Sequence, residues 1–422
     1  MKQVRRIRKT VQENGVIRAR LEAVPEDVTT ASAKVALIQE LIPLGLLFVE
    51  EALQQEVELL AGARYERNDG KLGVVRYGKQ PGSVYLADQK LAVEVPRVRD
   101  LARNREVALA TYRAFGQPRG ADEGVLRRIL AGVSCREYER CAEAVPQAFG
   151  LSASTVSRRF VQVSSRKLKD LRERRLDEYD FVALLLDGKT FAEDTMVVAV
   201  GITMTGEKIV LGMVEAGTEN STVCAALLEE LIERGLRFED GVLVVIDGGK
   251  GLHKAVEKAF ASAAFIQRCQ WHKRENVVSY LPKAQQPIFR RKLERAYAKP
   301  TYKEAKAALV KVRGELAKVN ESAARSLEEG LEETLTLHRL GLIDKLGISL
   351  RTTNCIESIN SLVEQRTSKV DNWKNSNQKQ RWLATALLDI EPRLRRIRGH
   401  RHLPLLRQAM RDHMRTEIRK AA

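Results

Sequence analysis

No stretch of this chain approaches the eighteen or so uninterrupted apolar residues that a membrane helix requires. The basic start, Met1 to Arg20, also lacks the apolar centre of a signal peptide. These two absences predict a cytoplasmic protein. Cysteine is scarce as well: five residues, an odd number scattered over more than two hundred positions, make no disulfide framework and fit a reducing compartment. Aromatic residues are only 5% of the chain, and no basic amphipathic helix bearing exposed aromatics stands out, which argues against an anionic membrane surface as the partner.

Acid is in deficit. There are 72 Lys and Arg against 55 Asp and Glu, a formal charge of +17, and counterion release then favours a polyanionic partner, nucleic acid first. The imbalance is uneven along the chain. Residues 1–20 carry seven bases and one acid, residues 392–420 ten and two, and residues 181–250 five bases and twelve acids. Basic ends around an acidic middle are expected if the ends hold phosphate backbone and the middle gathers divalent cations.

At 422 residues and 44% hydrophobic content the chain can bury sizeable cores in two or three domains. Seven segments follow from pattern changes. Residues 1–63 are a basic N-terminal helical region, in which Ala33 to Ala63 has helical apolar spacing broken near Pro43 and Gly45, predicting a helix pair. Residues 64–120 are punctuated by Gly70, Gly73, Gly78, Pro81 and Gly82 and predict a small hairpin module with basic edges. Residues 121–178 contain Tyr138 to Gly150 followed by Leu151 to Phe160, a helix-turn-helix pattern leading into a basic helical linker. Ser152, Ser154, Thr155, Ser157, Arg158 and Arg159 open its second helix and are types that reach bases and phosphates in a major groove.

From residue 179 to 275 the pattern is α/β. Val182-Ala-Leu-Leu-Leu-Asp-Gly-Lys189 predicts a strand buried on both faces that stops in a turn at Asp187. Thr195 to Thr203 and Lys208 to Glu215 complete an antiparallel meander. A helix capped by Asn220 or Ser221 follows, then the run Val242 to Asp247, a helix near Leu252 to Phe260, and a fifth strand from Phe265 to about Cys269. The order is βββαβαβ, a mixed five-stranded sheet. Its first and fourth strands would lie side by side, so Asp187 and Asp247 would open on one edge, where like charges repel unless a cation stands between them. Residues 276–348 interrupt with several helices. Residues 349–390 hold a helix capped by Thr353 or Asn354, with Ile356, Ile359 and Val363 as its buried stripe and Glu357 in its first turns. Residues 391–422 form a basic tail.

Four stretches together carry a family likeness: Leu186-Asp-Gly-Lys189, Val245-Ile-Asp-Gly-Gly-Lys-Gly-Leu252, Gln267-Arg-Cys-Gln-Trp-His-Lys-Arg-Glu-Asn276 and Arg351-Thr-Thr-Asn-Cys-Ile-Glu-Ser-Ile-Asn360. The chain resembles bacterial DDE transposases of the IS256 or Mutator type. The resemblance implies an RNase H-like core interrupted by an all-α insertion before its last acid, and a mostly helical N-terminal DNA-binding region. It implies a catalytic triad of Asp187, Asp247 and Glu357 holding two Mg²⁺ or Mn²⁺ ions, hard cations that take oxygen ligands and serve phosphoryl transfer. The partners it implies are double-stranded DNA, as terminal inverted repeats and as target, and a second copy of the chain, since two ends must meet. Lys189, Arg268, His272 and Arg351 are candidate phosphate contacts. Cys269 and His272 form the family's Cys-x-x-His signature. As a zinc pair it lacks two further ligands at sensible spacing, which leaves a structural role beside the site or a DNA contact by His272. Trp271 fits either a core or a base-stacking role. Two other readings stand beside the active transposase: a transposase-derived DNA-binding protein without catalysis, and another RNase H-like nuclease.

Overall fold

The computed structural model describes residues 31–65, 73–86, 89–116, 121–135, 148–149, 153–191, 193–216 and 220–421. The chain divides into two compact units, one of Met1–Ile129 and Val133–Arg159, the other of Leu130–Gly132 and Phe160–Ala422.

In the first unit, α1 (Ala31–Ala61) is one helix and not the expected pair. The backbone stays helical through positions 43 and 45, so the local preferences of Pro and Gly are overridden. The described packing of this helix lies past those two positions. Val49, Leu53 and Val57 recur at helical spacing and are buried against Val84, Leu91, Val93, Val95 and Val98 of a long hairpin. That hairpin is β1 (Val74–Leu86) with β2 (Gln89–Asp100), and the short β3 (Arg105–Val107) pairs with the other side of β2. Next come α2 (Ala110–Phe115) and α3 (Ala121–Leu130).

The first helix of the predicted helix-turn-helix falls mostly outside the described residues. Its last part is not helical: Ala148–Phe149 is a short strand, β4, paired with Lys90 and Leu91. Pairing to an available edge has won over the local helical pattern there. The predicted second helix is present as α4, but it runs on from Ala153 to Glu173 and absorbs most of the basic linker.

In the second unit, β5 (Phe181–Phe191), β6 (Asp194–Thr203), β7 (Lys208–Ala216), β8 (Val242–Ile246) and β9 (Ala264–Arg268) form a sheet of order β7-β6-β5-β8-β9. The first three strands are antiparallel neighbours, while β5, β8 and β9 run parallel. Leu184, Leu186, Val244 and Ile246 pack with Leu227, Leu228, Leu231, Leu252 and Val256 of α5 (Ser221–Glu233) and α6 (Lys250–Phe260), which cover one face. The Asn220 side chain caps α5 by accepting from the Thr222 amide at 2.9 Å.

One expectation is corrected here. β5 does not stop at Asp187; it continues to Phe191, with Asp187 opposite Val198 and Gly188 opposite Val197. Gly188 is therefore a strand residue and not a tight turn. The antiparallel partner β6 is long enough to carry the strand on, whereas the parallel partner β8 ends at Ile246. Asp187 thus sits where β5 loses one neighbour and keeps the other.

After α7 (Gln270–Ser279) the insertion forms α8 (Gln286–Tyr297), α9 (Tyr302–Ala317), α10 (Glu321–Glu328) and the short α11 (Leu331–Thr334) and α12 (Thr336–Arg339). It has its own core around Phe289, Leu293, Leu309, Leu316 and Leu327. The chain then returns through α13 (Ile343–Leu350) to α14 (Asn354–Thr367), whose Ile356, Ile359 and Val363 are buried as expected. Finally α15 (Ser376–Ile390) and α16 (Leu403–Ala421) close the unit.

Candidate active site

Side chains alternate across a strand, so the residues of β5 and β8 that do not face α5 and α6 face the other way. On β5 these are Ala183, Leu185 and Asp187. Parallel pairing aligns Ala183 with Leu243 and Leu185 with Val245 and ends there, with Asp187 two residues past the last paired position on β5 and Asp247 two past it on the chain leaving β8. Asp187 is 7% exposed and Asp247 half-buried. The Asp247 carboxylate accepts from the Gly249 amide at 3.0 Å, which fixes it in the turn between β8 and α6.

The third acid arrives on α14. Glu357, Asn360 and Glu364 are spaced i, i+3 and i+7 and share one helix face. Asn360, buried, donates from Nδ2 to Asp187 Oδ2 at 2.8 Å. Lys189, two residues further on β5, donates to the Asn360 carbonyl at 3.3 Å and to Glu364 at 2.7 Å. These bonds dock the Glu357 helix against the strand of Asp187 across 170 residues of sequence. Asn360 was not singled out from the sequence; its signal is the Glu-x-x-Asn spacing, which places both on one face of a helix.

Thr353 gathers the rest. It precedes α14 without a side-chain cap bond; instead its hydroxyl donates to Glu357 Oε1 at 2.7 Å and lies 3.3 Å from His272 Nδ1 and 3.4 Å from Cys269 Sγ. A hydroxyl has one proton, so with the shortest contact taking it, Thr353 serves as acceptor toward the imidazole. His272 Nε2 is 3.9 Å from Glu357 Oε1. The hydrogen bond to Cys269 is the main reason the imidazole is pushed up to about 9; burial opposes it, and negative charge on Cys269, Glu357 and Asp247 adds to the rise. Burial pushes the Cys269 thiol up, but hydrogen bonds from His272 and Thr353 outweigh it and hold the thiol below its usual value. The Cys269 amide donates to the Ile246 carbonyl at 2.7 Å and the Gln270 amide to the Arg351 carbonyl at 3.1 Å. The Cys-x-x-His stretch is thereby laced to both the Asp247 strand end and the segment preceding Glu357.

A sequence profile described as "Transposase, Mutator family" matches residues 17–395. The chain belongs to the Mutator family of transposases. Among its relatives, the transposase for insertion sequence element ISRM5 of Rhizobium meliloti (strain 1021) is 28% identical, over 93% of this chain and 98% of its own length. The transposase for IS256 in transposon Tn4001 of Staphylococcus aureus is 25% identical over 82% of this chain and 88% of its own. That for IS905 of Lactococcus lactis subsp. lactis (strain IL1403) is 26% identical over 81% and 86%.

In this Mutator-family chain the remaining candidates are placed differently from one another. Arg351 is exposed. Arg268 is only 7% exposed; it donates to the Glu329 carbonyl at 3.2 Å and lies against Gly248 and Gly330, where an added Cβ would collide with its guanidinium. It braces the turn after Asp247 against the insertion. Gln267, fully buried, adds to that seam by donating to the Thr334 carbonyl at 3.0 Å and accepting from the Leu337 amide at 3.0 Å. In the first unit, Ser154, Ser157 and Arg158 are exposed on the first turns of α4, with Thr155 and Arg159 half-buried and Arg159 5.1 Å from the Tyr85 ring centroid. Ser152 lies outside the described residues.

Gly248 adopts φ +106, a conformation that side chains resist, and has no room beside Arg268. Gly248→Ala is expected to lower stability by roughly 2–4 kcal/mol from strain and collision combined. Urea denaturation measures this, and a loss below about 0.5 kcal/mol, the level of an ordinary surface change, contradicts it.

Proposed function

We propose that this chain is a DNA transposase that binds the terminal inverted repeats of an insertion sequence and cuts and joins DNA through Asp187, Asp247 and Glu357. The observation that carries the reading is the parallel pairing of β5 and β8, which ends two residues before Asp187 on one strand and two before Asp247 on the other, together with the Asn360 bond that brings the Glu357 helix to Asp187. Three antiparallel strands followed by two parallel ones, with a helical insertion before the last acid, also suit an RNase H-like core.

The donors fit hard divalent cations. All three are carboxylates on rigid elements, as Mg²⁺ or Mn²⁺ sites demand. Among the described residues no three His, Cys, Asp or Glu side chains are gathered as a ready metal cluster; Asn360 and Thr353 hydrogen-bond two of the three carboxylates. Two such ions supply activation of the attacking oxygen and relief of charge on the leaving one. The chain's own residues do the rest. Asn360 orients Asp187, Thr353 and His272 orient Glu357, and the Gly249 amide orients Asp247. Arg351 offers a guanidinium to flanking phosphate, and Lys189 can exchange Glu364 for one. Arg268 acts by holding the Asp247 turn. Ser154, Thr155, Ser157, Arg158 and Arg159 open the helix that reads the repeats. Two ends require two active sites, so the working form is a dimer or larger.

The test is incubation of the purified chain with supercoiled plasmid bearing the element ends, in Mg²⁺, in Mn²⁺ and in EDTA. End-specific nicks with 3′-hydroxyl termini in the metal samples alone are expected. Cleavage that persists in EDTA, or that ignores the ends, overturns the reading.

A further inference from the structure

In the hairpin of the first unit Val93, Val95 and Val98 are buried in the core shared with α1, while Arg97 and Arg99, two apart on β2, stay partly exposed. Opposite them β1 bulges: its register shifts between Arg76 and Lys79, with Gly78 at φ +80. The bulge presents Tyr77, 45% exposed, whose ring centroid is 5.0 Å from the Arg97 guanidinium and 4.8 Å from that of Arg99. Arg103 and Arg105, both exposed, follow in the same stretch. The nearby acids are already matched: Glu106 pairs with Arg97, and Asp100 accepts from the Arg103 amide at 3.0 Å. Arg99 donates to the neutral Asn104 at 2.6 Å, and among the described residues neither Arg99 nor Arg105 meets a carboxylate.

We propose that this cationic face, centred on Tyr77 between Arg97 and Arg99, is a DNA-contacting surface that grips the phosphate backbone of a duplex without reading its sequence. The inference rests on the DNA-binding part of the function proposed above. A guanidinium stacked on a ring is held in place before it binds and is weakly hydrated, so less is lost when its N–H fork closes on a phosphate. Charge settles the occupant. Four arginines within nine residues, on a chain of net charge +17, match a polyanion, and an apolar or acidic-poor partner would leave them unanswered.

The experiment is fluorescence anisotropy with the full chain in EDTA, using two labelled duplexes, one of random sequence and one bearing the element's terminal repeat. Arg99→Gln is expected to weaken binding to both duplexes about five- to tenfold and to reduce the slope of log K against log salt by about 0.9, the value of one phosphate contact. Arg99→Lys keeps the charge and should keep the slope. Tyr77→Leu should weaken binding less and leave the slope alone. Arg97→Gln also breaks the Glu106 pair, so Arg99, whose partner is an exposed neutral amide, decides the matter if the Arg97 variant folds poorly. Unchanged affinity and slope in Arg99→Gln overturn the proposal, as does a loss confined to the terminal-repeat duplex. Because binding is measured without metal, failure of the cleavage reaction would leave this result standing.

Discussion

Asp187→Asn is expected to abolish metal-dependent cleavage, by about 10³-fold or more, while leaving the folded state intact or slightly more stable. Loss of one ligand from a two-ion site removes several kcal/mol of transition-state stabilisation, and each ~1.4 kcal/mol is tenfold in rate. The stability side follows from electrostatics. Asp187 is only 7% exposed, so its charge is held largely out of water at some cost. The amide is isosteric, and a flip of the Asn360 carboxamide would let it meet residue 187 again. Asn360→Ala should produce a graded version, about 10²-fold in kcat, because it displaces the carboxylate without removing it. Plasmid cleavage and thermal unfolding on the same preparations check both. A variant at position 187 that cleaves like the wild type would remove Asp187 from the chemistry, and one that unfolds would make its role structural.

Lys273→Met is expected to raise stability by roughly 3 kcal/mol at neutral pH. The side chain is 1% exposed, its ammonium makes no hydrogen bond among the described residues, and the nearest carboxylate, Glu329, is 4.0 Å away. Burial, with Arg268 alongside, pushes the ammonium from its ordinary 10.5 down to about 8, against the pull of Glu329 and Glu333. At about 1.4 kcal/mol per unit that gap gives the figure quoted. Below pH 8 both folded and unfolded chains hold the proton and the penalty is complete. Between 8 and 10.5 the unfolded chain holds more protons, so wild-type stability rises with pH and the advantage of methionine shrinks. Urea denaturation at pH 7 and at about pH 9 tests the sign and the trend. A methionine variant less stable at pH 7 would mean that the amine is satisfied in the folded state.

Much of the second unit was legible before any coordinates. Uninterrupted apolar runs predicted β5 and β8, Asn220 predicted the start of α5, and the βββαβαβ order alone put the first and fourth strands side by side. What misled was local chemistry. Asp-Gly after an apolar run looks like a turn, yet β5 runs four residues past Asp187 because β6 keeps pairing with it. Pro43 and Gly45 look like a break, yet α1 runs through both as one helix. Lys273 sits in the polar run Gln-Trp-His-Lys-Arg-Glu-Asn, where nothing in the order of residues separates the buried lysine from its neighbours.

The stretch around Asp187 shows where the division falls. By itself the sequence determined the residue types, the alternation that turns Asp187 away from α5 and α6, and the strand order that sets its strand beside the one leading to Asp247. These follow from periodicity and chain connectivity, which are local. Only the tertiary structure decided that the helix of Glu357 would dock on the strand of Asp187. Between β9 and α13 the helical insertion folds around a separate core, and α14 is docked back onto β5 by Asn360 and Lys189. Bonds across such a separation depend on how independently packed elements meet, and no local pattern encodes that meeting.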